Sequence, residues 1–409
     1  MLETSSFKIK NYLIKNRKYA KKVIFQHYSF SLAELMEYES YLDWDVISLN
    51  GNIKWDYNIL HQFKDKLNWK GISKNGAVFK NIELIDEFID VIHWQDPNQS
   101  FFSTIANNEG IFWSDELIKK YAHLLDFYQL SYNDKGVAWS EELIDRHIND
   151  WHWVQLGAIE NLPWSISFFE KYVDLFNINY FLFEVNPTLT GNIEFIEKYY
   201  NILESWAIFA NDKLPWHQEK LLERWEDKIN WYGVAGNTLL LGDLDFFERH
   251  IDRWIHLTPK AFNMLSRNTG IPWSIELIEK YKSHWDWKRL SQNESLPWSI
   301  EFIEYFKDDL LWAKVTIDDN DYDENGQVIY DSGMIFETIE EYMTSNPALP
   351  WSIDFILHFG NEIDPDTLGT NYEIWKKAFE PYVTPDMLND IITNYWSLKY
   401  LSTDNGKID

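Results

Sequence analysis

A Trp-Ser dipeptide, often preceded by Leu-Pro, recurs about every 25 residues along the chain and opens an amphipathic pattern each time. It stands at Trp113, Trp139, Trp164, Trp273, Trp298 and Trp351, with degenerate copies at Trp55, Lys80, Gly191, Trp216 and Gly242. The eleven anchors are separated by 25, 33, 26, 25, 27, 25, 26, 31, 25 and 53 residues. A unit of this size cannot bury an apolar face alone. The period therefore predicts stacked copies, a solenoid, before any single residue is considered.

Each position in the repeat has a physical role. One residue past the anchor comes a residue of N-cap type: Asp56, Asn81, Ser114, Ser140, Ser165, Asn192, Asp243, Ser274, Ser299 or Ser352. Its side chain can accept a bond from an orphan N–H of the first helical turn. Only His217 breaks the rule. A carboxylate often follows in that turn (Glu116, Glu142, Glu276, Glu301, Asp354), where the helix dipole favours it. Five residues past the anchor the side chain is always apolar, from Leu60 and Ile85 to Ile303 and Ile356. Counted from the cap this is the fourth helical position, so the anchor is expected to staple against it.

A second Trp follows about fourteen residues after the anchor, at Trp69, Trp94, Trp153, Trp287 and Trp312, and is expected to close a long helix. A short segment such as Trp287 to Asn293 then ends on an Asn five residues before the next anchor: Asn50, Asn75, Asn108, Asn186, Asn211, Asn237, Asn268, Asn293, Asn346. Asn tolerates the left-handed conformation that ends helices, so each is expected to cap the short helix. A ladder of buried Asn side chains joining neighbouring repeats is the second reading.

The expected fold is all-α: a right-handed α-solenoid of about eleven long-helix/short-helix repeats, with one small β-hairpin insertion. Residues 1–43 would form N-terminal basic capping helices, 44–360 the array with an insertion at about 313–335, and 361–409 a helical cap with a short tail. The 71 aromatic residues suit such a core, because a 25-residue unit must fill little room with large side chains. No apolar run is long enough to span a membrane, and the absence of cysteine excludes disulfides and Cys-based metal or redox sites. The N-terminus lacks the pattern of a secretory signal, so cytoplasm is the expected location.

Charge narrows the partners. The chain carries −28, yet its first 22 residues hold seven basic groups and one Glu, so the other 387 residues carry −34. Such a field repels nucleic acid and anionic membrane and attracts cationic partners. The plain alternative is that acidity keeps an aromatic-rich chain soluble.

The largest departure from the repeat is the interval between Trp298 and Trp351, which contains Asp318, Asp319, Asp321, Asp323, Glu324, Asn325 and Gly326. The preferred reading is a hairpin turning at Asn325-Gly326. Asp321, Asp323 and Asn325 also match the first half of a calcium loop, but the twelfth position is Ser332 and the bidentate Glu is missing. Asp318, Asp319, Asp321, Asp323 and Glu324 are the candidate partner-binding residues. No metal or other cofactor is expected.

No phosphate-binding loop, nucleophile elbow or zinc-protease helix occurs. His147 and His250 fall on the apolar face, and His284-Trp285-Asp286 at a helix end, so catalytic residues are none and the chain is expected not to be an enzyme. The units Trp273-Ser274-Ile275-Glu276-Leu277-Ile278 and Leu290-Ser291-Gln292-Asn293 resemble those of uncharacterised bacterial and large-DNA-virus proteins built from Trp-rich α-helical repeats. That resemblance covers residues 44–360 and implies architecture but no activity. The expected function is a non-catalytic acidic scaffold that binds a protein with a basic surface, in its sharper form an immunity protein or inhibitor of a basic toxin or effector. The alternative is an enzyme or carbohydrate-binding protein that uses exposed aromatics.

Overall fold

The computed structural model describes residues 2–96, 104–176, 186–203, 205–217, 220–257, 260–312, 315–316, 321–322, 328–330, 340–341, 343–360, 362–363 and 371–396. The fold is helical. Contacts divide the chain into two units, Ile24–Asn237 and Met1–Val23 with Thr238–Asp409.

Within both units the repeat is read out locally as the sequence dictates. Each of the ten caps accepts a bond from a backbone N–H two or three residues on, for example Leu277 N–H to Ser274 at 3.2 Å and Phe302 N–H to Ser299 at 3.0 Å. Where His217 replaces the cap the helix starts late, at Leu221, behind Lys220 held at φ 49° and ψ 45°. The always-apolar position is the centre of the core: all eleven residues, Leu60 through Ile356, are 0% exposed.

Several expectations change. The helix after the anchor is short: Ile275–Lys280 and Ile300–Tyr305 span six residues, and only Leu244–Ile255 reaches twelve. Tyr281 and Phe306, eight past their anchors, leave the α region at ψ near 20°. Turns then carry the chain to the second Trp, whose indole N–H donates to the carbonyl five residues back, as Trp69 does to Lys64 at 2.9 Å and Trp94 to Ile89 at 2.9 Å. That bond satisfies a carbonyl the interrupted helix has abandoned.

Three anchors meet an aromatic ring four residues past them. Trp164–Phe168, Trp298–Phe302 and Trp351–Phe355 meet edge to face at 5.1–5.4 Å. Trp139 and Trp273 instead meet Trp151 and Trp285 at 5.1 and 5.0 Å.

The closing Asn residues are not left-handed caps. Asn75, Asn108, Asn237 and Asn293 sit at φ near −70 to −80° with ψ of 105–113°, and Lys220 is the only non-Gly residue with positive φ among the described residues. The extended backbone lets each amide reach the preceding repeat, which is the ladder reading. Asn75 Nδ2 donates to the carbonyls of Ser48 and Asn50 at 3.1 and 3.0 Å, and Asn293 Nδ2 to those of Ser266 and Asn268 at 2.9 and 3.1 Å. The same side chain accepts from the backbone two residues on, Ala77 and Ser295 respectively. The anchor indole closes the unit: Trp55 and Trp273 donate to the carbonyls of Asn50 and Asn268 at 2.8 and 3.0 Å. One carbonyl oxygen thus takes an indole from its own repeat and an amide from the next, using both lone pairs.

A second ladder runs beside it. The hydroxyls of Ser48, Ser266 and Ser291 donate to the carbonyl four residues back, and each accepts a backbone N–H twenty residues ahead, from Asn68, Asp286 and Leu311 at 2.9 Å. The Gly that follows some of these Asn residues permits close stacking. A Cβ on Gly270 would lie 2.0 Å from the Thr238 carbonyl oxygen.

The hairpin expected at residues 318–332 is not supported. Asn325 and Gly326 lie outside the described residues. What is described is confined to Val315–Thr316 beside Glu340–Glu341 and Asp321–Tyr322 beside Val328–Tyr330. Two such pairs are too short to stand as an independent ribbon.

Candidate interaction surface

On the helix that follows the anchor, charge is arranged by repeat offset. An acid six residues past one anchor pairs with a base seven or eight past the next: Asp86 with Lys120 at 2.5 Å, Asp145 with Lys171 at 2.8 Å, Glu170 with Lys198 at 2.5 Å, Glu197 with Arg224 and Glu248 with Lys280 at 2.5 Å. In the last copy the base is His358, 2.8 Å from Glu304. Four of these lysines precede a Tyr and lie over its ring, 4.8–5.5 Å from the centroid, as Lys171 does over Tyr172. The Tyr hydroxyls of Tyr121, Tyr172 and Tyr199 donate to the same acids at 2.7–2.8 Å.

These bonds hold the carboxyls of Asp86 and Asp145 below the ordinary range, chiefly through the lysine hydrogen bond and then the Tyr hydroxyl. A folded-state value below the unfolded one, about 3.9 for Asp, contributes stability that is present above that pH and lost as pH falls through the depressed value. NMR titration should therefore find Asp86 ionising below most other carboxyls. Lys120→Met should move it back toward the ordinary value, and an unmoved value would show that the pair is not formed in solution.

The ladder uses up much of the array's positive charge and leaves a different set of acids facing water. Three residues past the anchor stand Glu83, Glu116, Glu142 and Glu194 in one unit, and Asp245, Glu276, Glu301 and Asp354 in the other, all exposed. Among the described residues only Asp354 of these has an ion-pair partner, Lys8 at 2.6 Å. The basic N-terminus is itself partly consumed within its unit. Lys10 pairs with Asp390, Arg17 Nη2 donates to the Trp396 carbonyl at 2.8 Å, and Lys21 lies 5.8 Å from the centre of the Trp396 ring.

Of the residues named from sequence as partner-binding, only Asp321 is among the described residues. Asp318, Asp319, Asp323 and Glu324 lie outside the described residues, as does the calcium candidate Asn325, and Asp321 belongs to the short pair with Val328–Tyr330. No group of three His, Asp or Glu suited to a metal occurs among the described residues.

The histidines are placed as packing or surface groups. His147 stacks on Phe127 at 4.6 Å with Nδ1 3.2 Å from Asp150. His250 lies 4.6 Å from Phe246, and burial, then Arg253 and Arg249, lower its pKa. Asp286 caps Trp287–Gln292, while His284 is exposed beside Ser283. His93 and His152, which sequence reasoning passed over, both precede the second Trp of their repeats, and burial lowers both pKa values.

Two hollows of about 380 and 320 Å³ lie at the ends of short helices. The first is lined by Thr190, Trp206, Ala207, Ala210, Asn211, Asp212 and Lys213, and its one aromatic provides no paired platform for a sugar. The second, at Arg267, Thr269, Arg289, Gln292, Asn293 and Glu294, has no aromatic lining.

No helix among the described residues is long and apolar enough to cross a membrane. Compared with protein-family models, curated proteins and solved structures, the chain matches none.

Proposed function

We infer that the repeats form a right-handed α-solenoid that serves as a non-catalytic, acidic scaffold for a protein with a basic contact surface. The observation that carries this reading is the sorting of charge. Bases are paired across repeats while a column of first-turn carboxylates stays open to water. The helix dipole favours a carboxylate in that turn, and the absence of a paired base there leaves its charge available to a cationic partner. An immunity protein or inhibitor covering the cationic site of a toxin or effector is the sharper form, since charge complementarity speeds capture and fixes register. A reducing compartment such as the cytoplasm suits a chain without cysteine.

The association rate measured against salt tests the reading. With the physiological partner it should fall by about tenfold or more between low salt and roughly 0.5 M, as the Debye length contracts below the reach of the acidic field. Immobilised DNA or RNA should not retain the protein at physiological salt. Retention there, or a partner whose mapped contact surface is acidic, would show that the charge serves solubility alone.

A further inference from the structure

The repeat that begins at Trp351 differs from its neighbours at two offsets. Two residues past the anchor, the apolar side chains of Leu244 and Ile300 are 40% and 37% exposed and Ile275 is half-buried, whereas Ile353 is 3% exposed. Three past it, Asp245, Glu276 and Glu301 have no ion-pair partner among the described residues, whereas Asp354 takes Lys8. The helix at fault is Leu2–Lys15, which packs on Ile353–His358 and on Ile391–Tyr395 in the same unit. It buries Ile9 and Leu13, one turn apart, and presents Lys8 and Lys10 to Asp354 and Asp390. The chain therefore covers one copy of its apolar-and-acid edge with a basic amphipathic helix of its own.

The uncovered copies are continuous with that one. Lys280 reaches Glu248 at 2.5 Å, Lys282 reaches Asp309 at 2.7 Å, and His358 reaches Glu304 at 2.8 Å, so the four helices starting at Leu244, Ile275, Ile300 and Ile353 are successive neighbours. We propose that the edge formed by Leu244 with Asp245, Ile275 with Glu276 and Ile300 with Glu301 docks a basic amphipathic helix of a partner protein, aliphatic side chains on the first member of each pair and lysine or arginine on the second. Neither half suffices. The carboxylates alone give non-specific attraction that salt screens, and single exposed aliphatic residues are ordinary surface. Together they match the helix-in-groove mode, in which apolar anchors supply affinity and flanking charge sets register.

This assignment rests on the reading of the protein as an acidic scaffold and is tested with a probe whose outcome is separable from it. A labelled synthetic peptide with the sequence of residues 2–15 is titrated into the full-length chain by fluorescence anisotropy. A scrambled peptide of the same charge and a peptide with its lysines changed to Glu serve as controls. Saturable binding of the first peptide is expected, at least tenfold tighter than the scrambled one, with none by the acidic one. Glu276→Lys with Glu301→Lys should weaken it at least tenfold, and so should Ile300→Ser, which leaves the charge unchanged. Equal binding of the scrambled peptide, or binding that ignores these substitutions, overturns the docking edge. A basic partner that binds the doubly substituted chain as well as the parent would uphold the scaffold reading and overturn this one. Specific peptide binding by a chain whose partner has an acidic contact surface would do the reverse.

Discussion

Replacing Trp273 by alanine should lower the unfolding free energy by roughly 3–5 kcal/mol, the range for large-to-small changes of core aromatics. The indole is 8% exposed, lies edge to face with Trp285 at 5.0 Å and donates to the Asn268 carbonyl at 3.0 Å. Alanine removes the ring, the aromatic pair and one of the donors on a carbonyl that joins two repeats. Trp273→Phe separates these contributions. It keeps most of the apolar area and the ring contact but loses the indole N–H, so it should recover more than half of the loss. Urea unfolding followed by far-ultraviolet circular dichroism makes the comparison. An alanine variant as stable as the parent would mean that the anchors are surface features, and the carbohydrate-binding alternative would gain accordingly.

What could be read from sequence followed from how local each rule is. The ten caps were legible because a Ser, Asp or Asn side chain bonds an N–H two or three residues away, and no other repeat is involved. The buried position five past the anchor was legible because it was apolar in every copy. The helix length was not. A 3.6-residue apolar pattern runs through Tyr281 and Phe306, so nothing in it marks where the backbone leaves helical ψ.

The same limit governed the surface. An excess of acid was plain from composition, but which carboxylates stay open depends on which lysine of the next repeat reaches them. The signal for the pairing lies in the repeat offsets, since Asp86, Asp145, Glu170 and Glu248 all stand six past an anchor and Lys120, Lys171, Lys198 and Lys280 seven past the next. The acidic run near Asp321 is dense in charge but carries no repeat offset. The docking of Leu2–Lys15 on the last helices of its unit had no local signal at all. Its lysines announced a partner of opposite charge, and the whole array offers one.

The closing Asn residues give the other large expected effect. Asn293 is buried, and its amide donates to the carbonyls of Ser266 and Asn268 while its oxygen accepts from the Ser295 backbone N–H at 2.9 Å. Asn293→Ala leaves the Ser266 carbonyl without this donor, although Asn268 keeps the Trp273 indole. With lost hydrogen bonds near 1 kcal/mol each and a buried orphan costing about 1–3 kcal/mol, the variant should lose roughly 2–4 kcal/mol.

Two further substitutions distinguish a ladder rung from a helix cap. A left-handed cap would accept glycine with little loss or some gain, whereas a rung loses every side-chain bond and adds backbone freedom, so Asn293→Gly should cost at least as much as alanine. Asn293→Asp keeps the shape but turns a donor into a carboxylate oxygen facing two carbonyls. That repulsion and burial raise the folded-state pKa above the unfolded value, so the penalty is absent below the unfolded value and grows as pH rises through the folded one. At pH 7 the Asp variant should therefore be less stable than the Ala variant, and acidifying toward pH 4 should return much of the difference. A glycine variant at parental stability, or an aspartate variant indifferent to pH, would put the amide back on its own helix and remove it from the joint between repeats.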